Sequence, residues 1–333
     1  MDGKESPAAR GAEGCREEDF RVRLRCAFAA LFLPGSTWTN LAQRRSSWPR
    51  VLAALQRSPD GDCCQVLRDA GLWGEASLLA DPGLRAWGIQ VASLALTASD
   101  EDYPSGWRTR LGAAATPCLW RDGDLPPAGA PWVGVVGSRN PAEWAVAAAI
   151  HHGRAAASFG AVLVSGGAQG VDTIAARAAH SMGGHVVQIV PCGLRVHPGS
   201  GLPAGPRVLN LSPAAPGAPF SAALAKERNA LIYAASIATI VVQPRRGEGG
   251  TWCGAVDAIR RRLTCVCAVA APGESAENEA VSALRALGAQ SAPSPQSDWM
   301  RSVSELAHSW RDGGQPSLFG VGHVRELRVA YSV

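Results

Sequence analysis

Three glycine-rich turns in this chain carry the residue types that bind phosphate. The first is Gly137-Ser138-Arg139-Asn140-Pro141-Ala142-Glu143. Gly137 permits a close backbone approach and Arg139 offers a forked donor, while Asn140, Pro141 and Glu143 are expected to cap and open a helix. The second is Ser165-Gly166-Gly167-Ala168-Gln169-Gly170-Val171-Asp172. Its N–H groups are expected to line an anion-binding concavity ahead of a helix capped by Asp172. The third, Arg245-Arg246-Gly247-Glu248-Gly249-Gly250-Thr251, again joins glycine to positive charge, with Thr251 as the expected cap. Between the last two, Lys226-Glu227-Arg228-Asn229 places two cations on one helix, and Lys4 is the chain's only other lysine. The candidate phosphate contacts are therefore Gly137, Ser138, Arg139, Ser165, Gly166, Gly167, Ala168, Gly170, Asp172, Lys226, Arg228, Asn229, Gly249, Gly250 and Thr251. No turn has the GxxxxGK[ST] or GxGxxG spacing, which argues against a P-loop ATPase and an ordinary dinucleotide dehydrogenase.

These turns need elements to hold them. Apolar strands are expected at Trp132–Gly137, Ala161–Ser165, His185–Val190, Arg207–Leu211, Thr239–Gln243 and Thr264–Val269. Helices fall between them at Pro141–Ser158, Thr173–Met182, near Ser221–Ala235 and from about Trp252 to Arg261. Strands apolar on both faces that alternate with helices of ten or more residues predict an α/β fold. It is read as an extended Rossmann-type parallel sheet flanked by helices, with a small mainly helical N-terminal domain. Right-handed crossovers place every strand C-terminus at one edge, where open α/β sheets bind ligands.

The expected organisation is a polar, disordered tail over 1–16, then a mainly helical N-terminal domain and lead-in over 17–125. The Rossmann domain follows over 126–292, and 293–333 is a C-terminal tail without a winged helix. Within the N-terminal part, helical spacing runs from Asp19 to Pro34-Gly35, over Thr37 to Gln56 and from Cys63 to Leu79. A strand is expected at Val91–Leu96 and an extended piece at Thr116–Trp120.

Composition narrows the function classes. A formal net charge of +4 over 333 residues permits a polyanionic partner without demanding one. The nine cysteines are scattered, without a CxxC, and Cys265 and Cys267 are expected to face one way on a strand without meeting. This fits reduced thiols in a cytoplasmic protein rather than disulfides or a zinc site. No HExxH occurs, no apolar run approaches a membrane span, and neither metal nor cofactor is expected.

Read together, the motifs resemble the DNA-processing protein A (DprA/Smf) family. The family shows a strand ending in GSR, then SGxAxGID, a run like RNRIIAGLS, and SGSLxTA. Here these stand as Val135-Val136-Gly137-Ser138-Arg139, Ser165 to Asp172, Arg228-Asn229-Ala230-Leu231-Ile232-Tyr233-Ala234-Ala235-Ser236, and Glu248 to Ala255. Asp102-Tyr103-Pro104, Pro117-Cys118-Leu119-Trp120 and Ala271-Pro272-Gly273 extend the match over about Leu94 to Gln290. The second arginine of the RNR run is Ala230, and the last loop keeps only its glycine-rich character, which marks a divergent member. The resemblance implies a non-enzymatic protein that binds and protects single-stranded DNA and helps load RecA during natural transformation or recombination. It also implies a homodimer. The alternative is a sensor domain for a small nucleotide-derived ligand. An enzyme akin to nucleotide phosphoribohydrolases fits poorly, because Gly254 stands where their catalytic glutamate is needed.

Overall fold

In a computed structural model of the chain, the described residues are 50–51, 53–54, 57, 62–83, 86, 94–97, 100, 102–112, 115–116, 118–196, 202–273, 276–293 and 298–312. The tail expected over 1–16, the helix expected from Asp19, most of the region 37–56 and everything after 312 lie outside them. The described residues divide into two compact units, one within Met1–Tyr103 and Ala113–Trp120, the other within Pro104–Gly112 and Arg121–Val333.

In the first unit, α1 (Cys63–Asp69) starts at Asp62, whose carboxylate accepts the Gln65 N–H at 2.8 Å. Gly71, at φ +75, makes the left-handed turn into α2 (Trp73–Leu79), a conformation that suits a residue without Cβ. β1 (Ala95–Thr97) pairs antiparallel with β2 (Cys118–Asp122), setting Leu96 against Leu119 and Ala95 against Trp120. The buried Asp100 carboxylate accepts both the N–H and the hydroxyl of Thr97, and the Tyr103 hydroxyl donates to the Thr116 carbonyl at 2.6 Å.

The second unit begins with α3 (Ser105–Leu111) and then alternates. β3 (Trp132–Gly137), α4 (Glu143–Ser158), β4 (Val162–Ser165), α5 (Val171–Ser181), β5 (Val186–Ile189) and β6 (Val208–Ser212) come first. After them come α6 (Ala222–Ala235), β7 (Ala238–Val242), α7 (Gly249–Arg260), β8 (Cys265–Val269), α8 (Ala276–Ala286), β9 (Gln290–Ser291) and α9 (Trp299–Asp312). The strand order is β6-β5-β4-β3-β7-β8-β9, and these pairs are parallel. β4 and β7 are buried at every position, as strands covered on both faces must be.

Small residues set the spacing of α4 and α5. Ala145, Ala149 and Gly153 repeat every four residues along α4, and a Cβ at Gly153 would stand 2.3 Å from the Ala175 carbonyl oxygen of α5. Elsewhere on the sheet, α6 packs against α7 and α3. Trp107 of α3 donates to the Leu231 carbonyl at 2.7 Å, and Arg110 donates to the carbonyls of Ala234 and Ser236 at the C-terminal end of α6. These bonds explain why α3 belongs to the second unit, although the sequence pattern groups it with the N-terminal domain.

Two further differences have physical causes. The segment expected as a tail from 293 contains α9, whose Trp299, Val303 and Ala307 are buried in the same apolar cluster as α4, α5 and the strands. Trp299 Nε1 donates to His152 Nδ1 of α4 at 3.0 Å. Burial, with His151 alongside, pushes the His152 imidazole down to about 3, so it stays neutral and accepts. Cys265 and Cys267 do meet: their Sγ atoms are 3.8 Å apart, because residues i and i+2 of a strand share a face and their side chains can lean along it toward each other. No described helix is long and apolar enough to cross a membrane.

Candidate nucleic-acid interface

The chain leaves β3 toward β4 on one side and returns to β7 on the other, so the order of strands reverses between β3 and β7. That reversal opens a crevice at the strand C-termini, the usual ligand position in open α/β sheets. The turns after β3, β4 and β7 all reach this edge, and the three glycine-rich motifs come together.

Their N–H groups, however, do not all face outward. Asp172, in the first turn of α5, is buried, and its carboxylate accepts from Gly166 N–H at 2.9 Å and Gly137 N–H at 3.2 Å. The Ala168 N–H adds to the same carboxylate. Ser138 N–H is spent on the Val242 carbonyl and Gly167 N–H on the Ser165 hydroxyl. The concavity read from the sequence is real, and the anion it holds is the chain's own. Asp172 is accordingly not the helix cap; Gly170 occupies that position.

The glycines obey the same logic. A Cβ at Gly137 would meet the Val242 carbonyl oxygen at 2.4 Å and the Val171 side chain at 2.7 Å. A Cβ at Gly170 would lie 2.3 Å from the Ser138 carbonyl oxygen, and its φ of +87 is a second reason for glycine. At Gly166 the Arg228 guanidinium already fills the position. These three are glycine so that the loops can pack on one another. A Cβ at Gly247 or Gly249 would meet nothing within 4 Å, and there the left-handed φ of +76 and +72 is the reason for glycine, while one at Gly250 would meet only Asn229 at 3.8 Å.

Arg228 differs from its expected role. It is 6 % exposed, with Nη1 3.9 Å from Asp172 Oδ2 and 3.5 Å from the Ile189 carbonyl, and so is turned inward rather than presented to a phosphate. Burial lowers its affinity for a proton and raises that of Asp172, each partly offset by the other. Arg139 and Lys226 are exposed as expected, and Asn229 holds the Gly250 carbonyl at 3.3 Å. Thr251 caps nothing: α7 starts after Glu248 without a side-chain cap, and the Thr251 hydroxyl donates to the Gly137 carbonyl at 2.8 Å. The Asn140 cap is likewise absent. Ala142 precedes α4, and its N–H is taken by Gln243 Oε1 at 2.8 Å.

Gln243 is the residue that sequence reasoning missed. It follows β7 with φ +51, a left-handed backbone unusual for glutamine, and links the turn after β7 to the turn after β3. The signal lay in its place between a buried strand and Pro244-Arg245-Arg246. Those two arginines are exposed on the tight turn closed by Glu248 N–H to the Arg245 carbonyl. Gly254 is buried against Tyr233 and Asn229, where a Cβ would already be at 3.2–3.3 Å, so helix packing accounts for it. Among the described residues no cluster of His, Cys, Asp or Glu is placed to hold a metal ion.

The family model described as DNA recombination-mediator protein A matches residues 94–302. The chain belongs to that family. Every candidate contact falls within the matched span, which ends inside α9. The fold is that of DNA processing protein A from Streptococcus pneumoniae, with a TM-score of 0.64 at 20% identity over 82% of this chain and 94% of that one. DNA processing protein A from Helicobacter pylori, whose structure addresses its single-stranded DNA binding mode, gives a TM-score of 0.51 at 22% identity over 65% of this chain and 96% of that one. No curated protein sequence matches the chain.

Proposed function

We propose that this recombination-mediator family member binds single-stranded DNA along the crevice between the C-termini of β3 and β7. One observation carries the reading: exposed Arg139 follows β3, whose Gly137 carbonyl is bonded by Thr251 of α7, exposed Arg245 and Arg246 lie just ahead of α7, exposed Lys226 acts on Cys253 of α7, and a Cβ at Gly250 would meet no backbone. The uncapped N-terminus of a twelve-residue helix favours an anion there. The H. pylori relative's single-stranded DNA binding supports the same ligand. Of the residues expected to touch phosphate, Arg139, Lys226, Gly249 and Gly250 keep that role. Gly137, Ser165, Gly166, Gly167, Ala168, Gly170 and Thr251 support it from within.

Loading of RecA onto the bound strand, a homodimeric state and a cytoplasmic location complete the proposal, and no reaction is assigned to the site. Fluorescence anisotropy of the whole chain with labelled oligo(dT) at several salt concentrations tests the binding. Affinity should fall steeply with salt, with a log–log slope of roughly 0.7 per phosphate neutralised. Binding that ignores salt, or that is as tight for a mononucleotide, refutes the reading. RecA loading is tested by the rate of strand exchange on DNA precoated with single-strand-binding protein, with and without this chain.

A further inference from the structure

Asp172 and Arg228 form a buried pair that touches every loop of the crevice except the one after β7. Asp172 sits on α5 and collects N–H groups from the end of β3 and from the turn after β4. Arg228 comes from α6, passes over Gly166, and reaches the carbonyl at the end of β5. Its Nη1 lies 1.3 Å from where a Gly166 Cβ would stand, so glycine at 166 is the condition for the guanidinium to enter. Next to Asp172, the Val171 N–H bonds the Ser138 carbonyl, and Gly170 lies directly under the Arg139 backbone. The placement of the exposed Arg139 therefore depends on where the first turn of α5 is held.

We propose that Asp172 and Arg228 are a positioning pair: Asp172 is a built-in anion that organises the two glycine turns, Arg228 holds it in place, and neither touches the nucleic acid. The proposal deepens the single-stranded DNA reading and rests on it. A phosphate would have to compete with Asp172 for the Gly137, Gly166 and Ala168 amides, and it would do so against a carboxylate tethered in the chain and paired with a buried cation. The incoming strand is met instead by what the pair sets in place, Arg139 first.

The experiment compares salt titrations of oligo(dT) binding for Arg139→Ala and Arg228→Met, with thermal midpoints measured alongside. Arg139→Ala should reduce the salt slope by one contact, roughly 0.7 for a single strand. Arg228→Met should weaken binding roughly ten- to hundredfold, the range seen when residues supporting a metal's ligands are removed, while leaving the slope at the wild-type value. A slope reduced as in Arg139→Ala makes Arg228 a direct contact and overturns the proposal. So does a lowered midpoint with unchanged affinity, which makes the pair structural only. Should Arg228→Met fail to fold, phenylglyoxal footprinting of the unaltered protein decides. Arg228 should stay unmodified with and without DNA, while Arg139 is modified in the free protein and shielded in the complex. Modification of Arg228 in the free protein and shielding by DNA overturns the proposal. Salt-independent binding by the unaltered protein is the separate failure, that of the DNA reading itself.

Discussion

An alanine at Gly137 would press its Cβ to 2.4 Å from a backbone oxygen of β7, and an alanine at Gly250 would make only an ordinary contact with Asn229 at 3.8 Å. The two substitutions should therefore separate folding from binding. Gly137→Ala is expected to destabilise by ~1–3 kcal/mol, the usual cost of overpacking, visible as a lower thermal midpoint. Gly250→Ala should leave stability within ~0.5 kcal/mol and weaken DNA binding instead. Equal midpoints for the two variants would contradict the packing role of Gly137. The residue types in these turns were legible in the sequence, but the direction in which each group faces was not. Glycine, arginine and aspartate before a helix read the same whether the anion is a ligand's phosphate or Asp172. Only the burial of Asp172 and the inward route of Arg228 decide between them. The caps failed for a related reason: Thr251, Asn140 and Asp172 could each serve the nearest helix, and contacts distant in sequence took over.

At the scale of elements, the alternation from Trp132 to Val269 was readable because each strand is apolar on both faces and each helix fills one crossover. β3 begins and ends where the pattern placed it, the five strands from β4 to β8 lie within one residue of it, and the two-residue β9 carries too short a pattern to be read. α9 was missed although Trp299, Val303, Leu306 and Trp310 follow helical spacing, because the Pro- and Ser-rich stretch before it resembles the start of a tail. Its attachment has measurable consequences. Trp299→Ala removes a fully buried ring and its bond to His152, and should cost ~3–5 kcal/mol in denaturant unfolding. His152 also links stability to pH. Its imidazole titrates near 6.5 when unfolded and at about 3 when folded. Between those values the unfolded chain binds a proton that the folded one refuses, so stability falls as pH drops from 6.5 toward 3, by up to ~1.4 kcal/mol per unit. His152→Asn keeps an acceptor for Trp299 without titrating, and its thermal midpoint should depend less on pH over that window. An unchanged dependence would assign the acid sensitivity elsewhere.

For the whole molecule, a net charge of only +4 gives little hint of a nucleic-acid partner. The relevant quantity is local: exposed Arg139, Arg245 and Arg246 stand on loops at one sheet edge, with exposed Lys226 on α6, and a strand of phosphates could follow them. Affinity should accordingly grow with oligonucleotide length until those cations are matched, which a length series in anisotropy would show. A flat series from the mononucleotide upward would argue against an extended binding track.

The Trp299–His152 bond joins partners 147 residues apart in the chain. On a ribosome adding ~5–20 residues per second, α4 would wait on the order of ten seconds before its covering helix is synthesised. During that interval α4 is already packed on α5 and the strands, but the His152 side that Trp299 will cover lacks its final partner and is open to capture by proteases or by other nascent chains. Slower translation between codons 152 and 299 should therefore lower the yield of folded protein, which a series of synonymous-codon variants would measure.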